Sequence, residues 1–349
     1  MGTKALVVAI CSPLEEHLVA RVRDAFGDRI DLRYRPDLLP APRYVADHGD
    51  PDFVRTAEQE RAWRQMLTDA EVTFDFATEG TDGPLQLSPM LRWIQTTSAG
   101  VGPSAKRFGL EGQGVIVTTA SGIHAGPLAE FVFASLLYWV KEFPRLMDDK
   151  RGHRWDRFCA GELRGKTLAV VGPGRIGREV ARIGRAFGMT VWMMGRTVGA
   201  DAADAVGADR LWERPDLREM LAGADAVVLV VPHTPETVGM IGREEIAVMK
   251  PEAMLVNIAR GVVIDEQALT EALRDRRIAF AALDVFTEEP LPVASPLWDL
   301  PNVLINPHSA STAWEENSRL TDRFIANLGH YLAGEIDQMS PQLDISRGY

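Results

Sequence analysis

Cysteine is nearly absent from this chain of 349 residues: Cys11 and Cys159 are its only two. No disulfide framework follows from them, and a reducing cytoplasm is the expected setting. Positive charge is also in short supply. The formal net charge of −11 argues against non-specific binding to nucleic acid or to an anionic membrane. A local basic cluster remains able to receive a phosphorylated ligand. Long apolar runs are missing: the longest, residues 131–140, is too short to span a bilayer and reads as a buried helix or an interface. The N-terminus enters a strand pattern directly, with no signal-peptide pattern. Solenoid-period repeats, low-complexity segments and a metal-ligand cluster are not expected either. What is present is a 46% hydrophobic composition, enough for sizeable cores, over a length that suits about two domains.

The chain is organised around residues 168–177, LAVVGPGRIG. An apolar run ends in Gly172, Gly174 and Gly177 with the spacing G-x-G-x-x-G, and a helical pattern closed by Gly188 follows at once. The first glycine permits a tight turn, the second lets backbone approach a pyrophosphate, and the third allows close strand–helix packing. The helix start offers free N–H groups, those of Arg175 and Ile176 among them, and a positive dipole end. Dinucleotide binding is the expectation. One further residue is lacking: the carboxylate that normally meets the ribose 2′-OH about 20 residues past the glycines. Gly195-Arg196-Thr197 stands there. An acid would repel a 2′-phosphate, whereas an arginine fork accepts it, so NADP(H) is preferred and NAD(H) remains possible.

Strand patterns cover residues 4–10, 30–34, 72–76, 91–96, 115–118, 167–171, 190–194, 226–231, 254–258, 278–283 and 303–305. Helical patterns cover 14–26, with Ser12 as N-cap, then 56–67, 127–147, 216–221, 244–248, 266–274 and 313–333. Residues 35–54 read as loop. Strands alternating with helices indicate parallel sheets covered on both faces, an α/β architecture.

Several strand ends carry chemistry-bearing residues, each with a plainer alternative. Ser98-Ala99-Gly100 suits backbone N–H contact with an anion, or an ordinary turn. Val231-Pro232-His233-Thr234-Pro235-Glu236-Thr237 sits where open α/β sheets bind ligands; its hydroxyls suit phosphate or ribose, and His233 reads as a turn histidine. Arg260, after a strand and before Gly261, suits a carboxylate or a surface ion pair. Asp284 ends another strand, ahead of Glu288 and Glu289, which suit chemistry or solvent. His308 follows the last strand, where a structural histidine is common. Together, an arginine, an acid and a histidine delivered to one sheet edge form a proton-transfer and carboxylate-binding set.

At these residues the chain resembles the D-isomer-specific 2-hydroxyacid dehydrogenase family. WIQTTSAGV, GIHAGPLAEF, GKTLAVVGPGRIGREVA, VPHTPET, MLVNIARGVVIDEQAL, LDVFTEEPLP and NPHSA occur in the family's order. The resemblance implies two doubly wound parallel-sheet domains, a Rossmann-type cofactor domain over residues 125–306 inserted into a flavodoxin-like substrate domain of residues 1–124 and 307–349. It implies hydride transfer between NAD(P)(H) and a small D-2-hydroxy acid/2-oxo acid pair. Arg260, Glu289 and His308 would be catalytic, with Ala99, Gly100, Arg260 and His308 on the substrate. The cofactor would meet the glycine loop, Arg196, Thr197, Val231, Pro232, Thr237, Ile258, Ala259, Arg260, Asp284, His308 and Ala310. Pro173 within the glycine loop, Gly102 and Thr119 depart from the common pattern. Gly195-Arg196 and the Trp155/Phe158 arm most resemble the glyoxylate/hydroxypyruvate reductase branch, and a homodimer formed through residues 127–165 is implied. Three other readings share the scaffold: a dinucleotide-sensing co-repressor, a D-3-phosphoglycerate dehydrogenase, and formate oxidation, against which Glu289 argues.

Overall fold

The computed structural model describes residues 5–50, 52–195, 203 and 206–347. The chain divides into two compact units, Met1–His124 with Thr312–Tyr349, and Ala125–Ser311. The return crossing thus falls after Ser311, later than the expected Asn306. The reason is local: backbone N–H groups of His308, Ser309 and Ala310 all donate to Asp284, which belongs to the second unit.

The first unit comprises β1 (Leu6–Ile10), α1 (Glu16–Phe26), β2 (Ile30–Arg33), α2 (Ala57–Leu67), β3 (Val72–Phe74), α3 (Pro84–Leu87), β4 (Trp93–Gln95), α4 (Gly102–Arg107) and β5 (Ile116–Thr118). Its sheet runs β2-β1-β3-β4-β5, with every pair parallel. Strand alternation sends Val8 and Ile10 into one core and Val7 and Ala9 into another. The first core is closed by α1 and by the long C-terminal helix, whose Leu320, Phe324 and Leu328 are fully buried. A sheet covered on both faces must be apolar on both, which is why its strands read as continuous runs.

The second unit contains α5 (Ala125–Val140), α6 (Phe143–Arg151), β6 (Thr167–Val171), α7 (Arg175–Ala186), β7 (Thr190–Met194), β8 (Arg210–Trp212), α8 (Leu217–Gly223), β9 (Ala226–Leu229), α9 (Arg243–Ala247), β10 (Met254–Asn257), α10 (Glu266–Arg274), β11 (Phe280–Leu283) and β12 (Val303–Ile305). The C-terminal helix, α11 (Glu316–Ala333), returns to the first unit. The parallel sheet runs β12-β11-β10-β9-β6-β7-β8. Its order reverses between β6 and β9. Open α/β sheets bind ligands outside the carboxyl ends at such a switch point.

Three local expectations need correction. The helix expected over 127–147 is two helices, with Glu142 in the left-handed region between them at φ 57°. Pro144 has no N–H to give the carbonyl of Val140, and Gly161 N donates to it instead at 3.0 Å. The helix expected from Leu14 begins at Glu16, because the Leu14 carbonyl accepts from Tyr34 Oη at 2.6 Å and Glu15 is extended. Ser12, expected as its cap, pairs with His48 Nδ1 at 2.8 Å. Strand β8 and helices α3 and α4 were not legible in the sequence. No helix among the described residues is long and apolar enough to cross a membrane.

Candidate active site

Because the second sheet is all parallel, the ends of β6, β9, β10, β11 and β12 lie along one edge. The glycine loop follows β6. Gly172 takes φ +123°, and a side-chain carbon there would stand 2.5 Å from the carbonyl oxygen of Val230. One on Gly177 would stand 2.0 Å from the carbonyl oxygen of Gly172. Neither clash can be relieved by a side-chain shift, since both neighbours are backbone. Gly174, in contrast, faces open space, with nothing within 4 Å of such an added carbon. It caps α7, whose first-turn N–H groups at Arg175 and Ile176 have no intrahelical acceptor. A tight turn below and an open face above make a cradle that fits a pyrophosphate. Ile176 packs partly buried against the sheet, and Arg175 is exposed.

After β9, the 231–237 loop is locked from inside. Thr237 Oγ1 donates to the carbonyl of Pro232 at 2.7 Å and accepts from Thr234 N at 2.9 Å. Its hydroxyl therefore shapes the loop. Val231 is partly buried, while Pro232 and His233 are exposed. After β10, Ile258 and Ala259 are buried and Arg260 is exposed. Asn257 sets this turn: its Oδ1 accepts from Ala259 N at 3.0 Å and its Nδ2 donates to Arg260 O at 3.1 Å. Arg260 Nη1 donates to the carbonyl of Ala259 at 2.7 Å, and no carboxylate pairs with Arg260 among the described residues.

The ends of β11 and β12 are joined through one buried carboxylate. Asp284 is 2% exposed, and its Oδ1 accepts from Asn306 Nδ2 at 2.6 Å, Ser309 N at 2.9 Å and Ala310 N at 3.0 Å. That triple anchor holds the 306–310 turn, where His308 takes φ 52°. The imidazole Nδ1 of His308 lies 2.7 Å from Glu289 Oε2, and Glu289 Oε1 accepts from Phe286 N at 2.9 Å. A carboxylate gripped on one oxygen by backbone orients the ring through the other, leaving Nε2 clear of that contact. Both side chains remain partly open, at 44% and 36% exposure.

In the first unit, the 98–100 loop is exposed, fixed at its base by Thr96 Oγ1 donating to Ser98 O at 2.8 Å. The N–H groups of Ala99 and Gly100 take no acceptor among the described residues. Arg196 and Thr197 lie outside the described residues. Asn257 and Asn306, which hold the two turns, were not singled out from sequence. Their position, the last residue of one strand and the first after another, is the signal that would have found them. Among the described residues no cluster of His, Cys, Asp and Glu is arranged to hold a metal ion.

Comparison with known proteins extends this geometry. The chain is similar to a D-3-phosphoglycerate dehydrogenase of Methanocaldococcus jannaschii, 38% identical over 227 residues that span 64% of this chain and 42% of that enzyme. It is similar to a glyoxylate/hydroxypyruvate reductase B of Pectobacterium atrosepticum, 36% identical over 267 residues, 74% of this chain and 82% of the relative. A crystal structure of a D-isomer specific 2-hydroxyacid dehydrogenase from Xanthobacter autotrophicus Py2, in complex with NADPH and MES, superimposes over 100% of both chains with TM-score 0.74 at 28% identity. The family model described as D-isomer specific 2-hydroxyacid dehydrogenase, NAD binding domain, matches residues 133–310. That span starts inside α5 and ends at Ala310, taking in every strand end of the second unit, and on this ground the chain belongs to the D-isomer-specific 2-hydroxyacid dehydrogenase family.

Proposed function

We propose that this chain reduces small 2-oxo acids of the glyoxylate or hydroxypyruvate type to D-2-hydroxy acids, with NADP(H) as the preferred dinucleotide. The observation that carries the reading is the 2.7 Å contact of His308 with Glu289 on the edge that also bears the glycine cradle. When bound, the dinucleotide supplies the hydride. Gly172, Gly174 and Gly177, with the N–H groups of Arg175 and Ile176, hold its pyrophosphate. Val231, Pro232, Thr237, Ile258 and Ala259 line its path, and Asp284 and Ala310 flank the nicotinamide end. Arg260 pairs with the substrate carboxylate and stabilises the carbonyl oxygen as charge builds on it. The backbone of Ala99 and Gly100 meets the same carboxylate. His308 Nε2 gives its proton to that oxygen while Glu289 holds Nδ1. The test is dinucleotide absorbance with purified protein and glyoxylate, hydroxypyruvate or pyruvate. Saturable turnover is expected, and none with any of the three ends the reading.

The cofactor preference rests on Arg196. R196D exchanges a phosphate-binding fork for a repelling acid, so kcat/KM with NADPH should fall roughly 10- to 100-fold relative to NADH. An unchanged ratio would remove Arg196 from the cofactor site.

A homodimer is also part of the proposal. Helix α6 buries none of its side chains within the chain, and Phe143, Leu146, Met147 and Trp155 stand 46%, 42%, 50% and 94% exposed. Apolar residues collected on one segment mark an interaction surface. Light scattering after gel filtration should give the mass of two chains; a monomer at micromolar concentration refutes this part.

A second substrate reading, a phosphorylated 2-hydroxy acid, is favoured by the likeness to the M. jannaschii D-3-phosphoglycerate dehydrogenase.

A further inference from the structure

The first unit holds a cavity of about 250 Å³ at the carboxyl edge of its own sheet. Cys11, directly after β1, and Asp75, directly after β3, line it, with Ser104 and Arg107 of α4 and with His48 and Arg55 of the loop joining β2 to α2. Asp75 ties it to the substrate loop: Thr97 Oγ1 donates to Asp75 Oδ2 at 2.7 Å, one residue before Ser98-Ala99-Gly100. Asp75 itself sits at φ 72°, a conformation that costs energy in any non-glycine residue and that clusters at ligand sites. A two-carbon acid such as glyoxylate has no substituent to send into this space.

Two acids, Asp50 and Asp75, and two guanidiniums, Arg55 and Arg107, line the cavity. Its acids are engaged: Asp75 Oδ1 accepts from Phe76 N at 2.9 Å, and Asp50 Oδ1 accepts from Asp52 N at 3.0 Å. Its cations are less fully engaged. Arg55 is 11% exposed and lies 4.1 Å over the Trp63 ring. Its Nε and Nη1 donate to the carbonyls of Leu38 and Thr78, at 2.8 and 3.3 Å, but its ion pair with Glu79 is long, at 3.9 Å. Burial pulls this guanidinium below its ordinary range, against the opposing pull of Glu79. Arg107 lies over the Phe108 ring and pairs with no carboxylate among the described residues. His48 Nδ1 meets Ser12 Oγ at 2.8 Å, while its Nε2 is buried without a partner. Two guanidiniums without a close carboxylate partner thus line one space, and one of them, Arg55, is largely buried.

We propose that this cavity receives an anionic group, carboxylate or phosphate, at the far end of the side chain of a 2-oxo acid, held by Arg55 and Arg107. The enzyme then prefers acids extended by an anion over neutral acids of equal length. This inference rests on the 2-oxo acid reading above.

The test uses the full chain with NADPH and four acids: 2-oxoglutarate, 3-phosphohydroxypyruvate, phenylpyruvate, and 2-oxopentanoate, which matches 2-oxoglutarate in carbon count without the second carboxylate. Calorimetric binding is measured beside kcat/KM. The anionic acids should exceed 2-oxopentanoate roughly 10- to 100-fold in both, the scale of charge-assisted hydrogen bonds. Which anion leads separates carboxylate from phosphate. R107A, at an exposed position, should shrink that ratio about tenfold; R55K, a conservative change at a more buried position, should shrink it too. Equal treatment of 2-oxopentanoate, a lead for phenylpyruvate, or a ratio untouched by R107A overturns the proposal. Selective binding lost in R107A without turnover of any acid supports the cavity and sinks the reductase reading. Turnover of glyoxylate with no preference among the longer acids does the reverse.

Discussion

Replacing His308 with alanine should lower kcat for 2-oxo acid reduction roughly 100-fold or more, the effect of removing a general acid. The KM for NADPH should stay close to wild type, because the glycine cradle is untouched. The change removes the side chain that meets Glu289 but not the backbone donation from His308 N to Asp284 O at 2.9 Å, so the turn is kept. His308 occupies the left-handed region at φ 52°, where alanine is strained. H308N is therefore the companion variant, since asparagine tolerates that conformation. Loss of turnover in both, with wild-type circular dichroism, assigns the loss to the imidazole. Near-normal turnover in either removes His308 from the chemistry.

Glu289 refines the same prediction. In E289Q one amide end must face Phe286 N, which requires the oxygen there and turns the NH₂ toward His308. The imidazolium then loses its acceptor, and the ring tautomer that presents a hydrogen at Nδ1 is disfavoured. E289Q should therefore lower kcat for reduction roughly tenfold or more while KM for the dinucleotide stays near wild type. An unchanged kcat makes Glu289 a purely structural partner.

How much of this was readable in the chain differs by kind of contact. Strands β6 and β7 and helix α10 start and stop where the strand and helical patterns put them. Each is fixed by its own sequence and by burial on both sides. The break at Glu142 and the late start of α1 depend on Gly161 and Tyr34, groups distant in sequence, so no local pattern announces them. Strand β8 is a three-residue edge that exists only against β7. At the site, the motif order pointed to His308 and Glu289 together, yet the role of Asp284 as pin of the 306–310 turn is purely spatial. The His48 cavity was illegible for a similar reason: its residues come from a loop, two strand ends and a short helix.

R260M should lower kcat/KM for 2-oxo acids by roughly 100- to 1,000-fold, the range reported by loss of one donor to a developing oxyanion. The reasoning starts from what Arg260 does not do in the folded chain. It pairs with no carboxylate among the described residues, so its removal leaves no orphan acid. Its backbone is fixed independently by Asn257 Nδ2 at 3.1 Å. The next residue, Gly261, lies so near Phe286 that a side-chain carbon there would stand 1.9 Å from that carbonyl carbon. The turn is thus pinned on both sides of the side chain being changed, and stability should move by no more than about 0.5 kcal/mol, as at other surface positions. The guanidinium has two tasks, holding the substrate carboxylate and easing charge on the carbonyl oxygen. Loss of the first raises KM for the acid; loss of the second lowers kcat; neither moves KM for NADPH. R260K keeps a charge but not the planar fork, and should recover part of the kcat loss and little of the KM loss. If R260M retains kcat/KM within a few-fold of wild type, the arginine is a surface residue and the substrate carboxylate is held elsewhere.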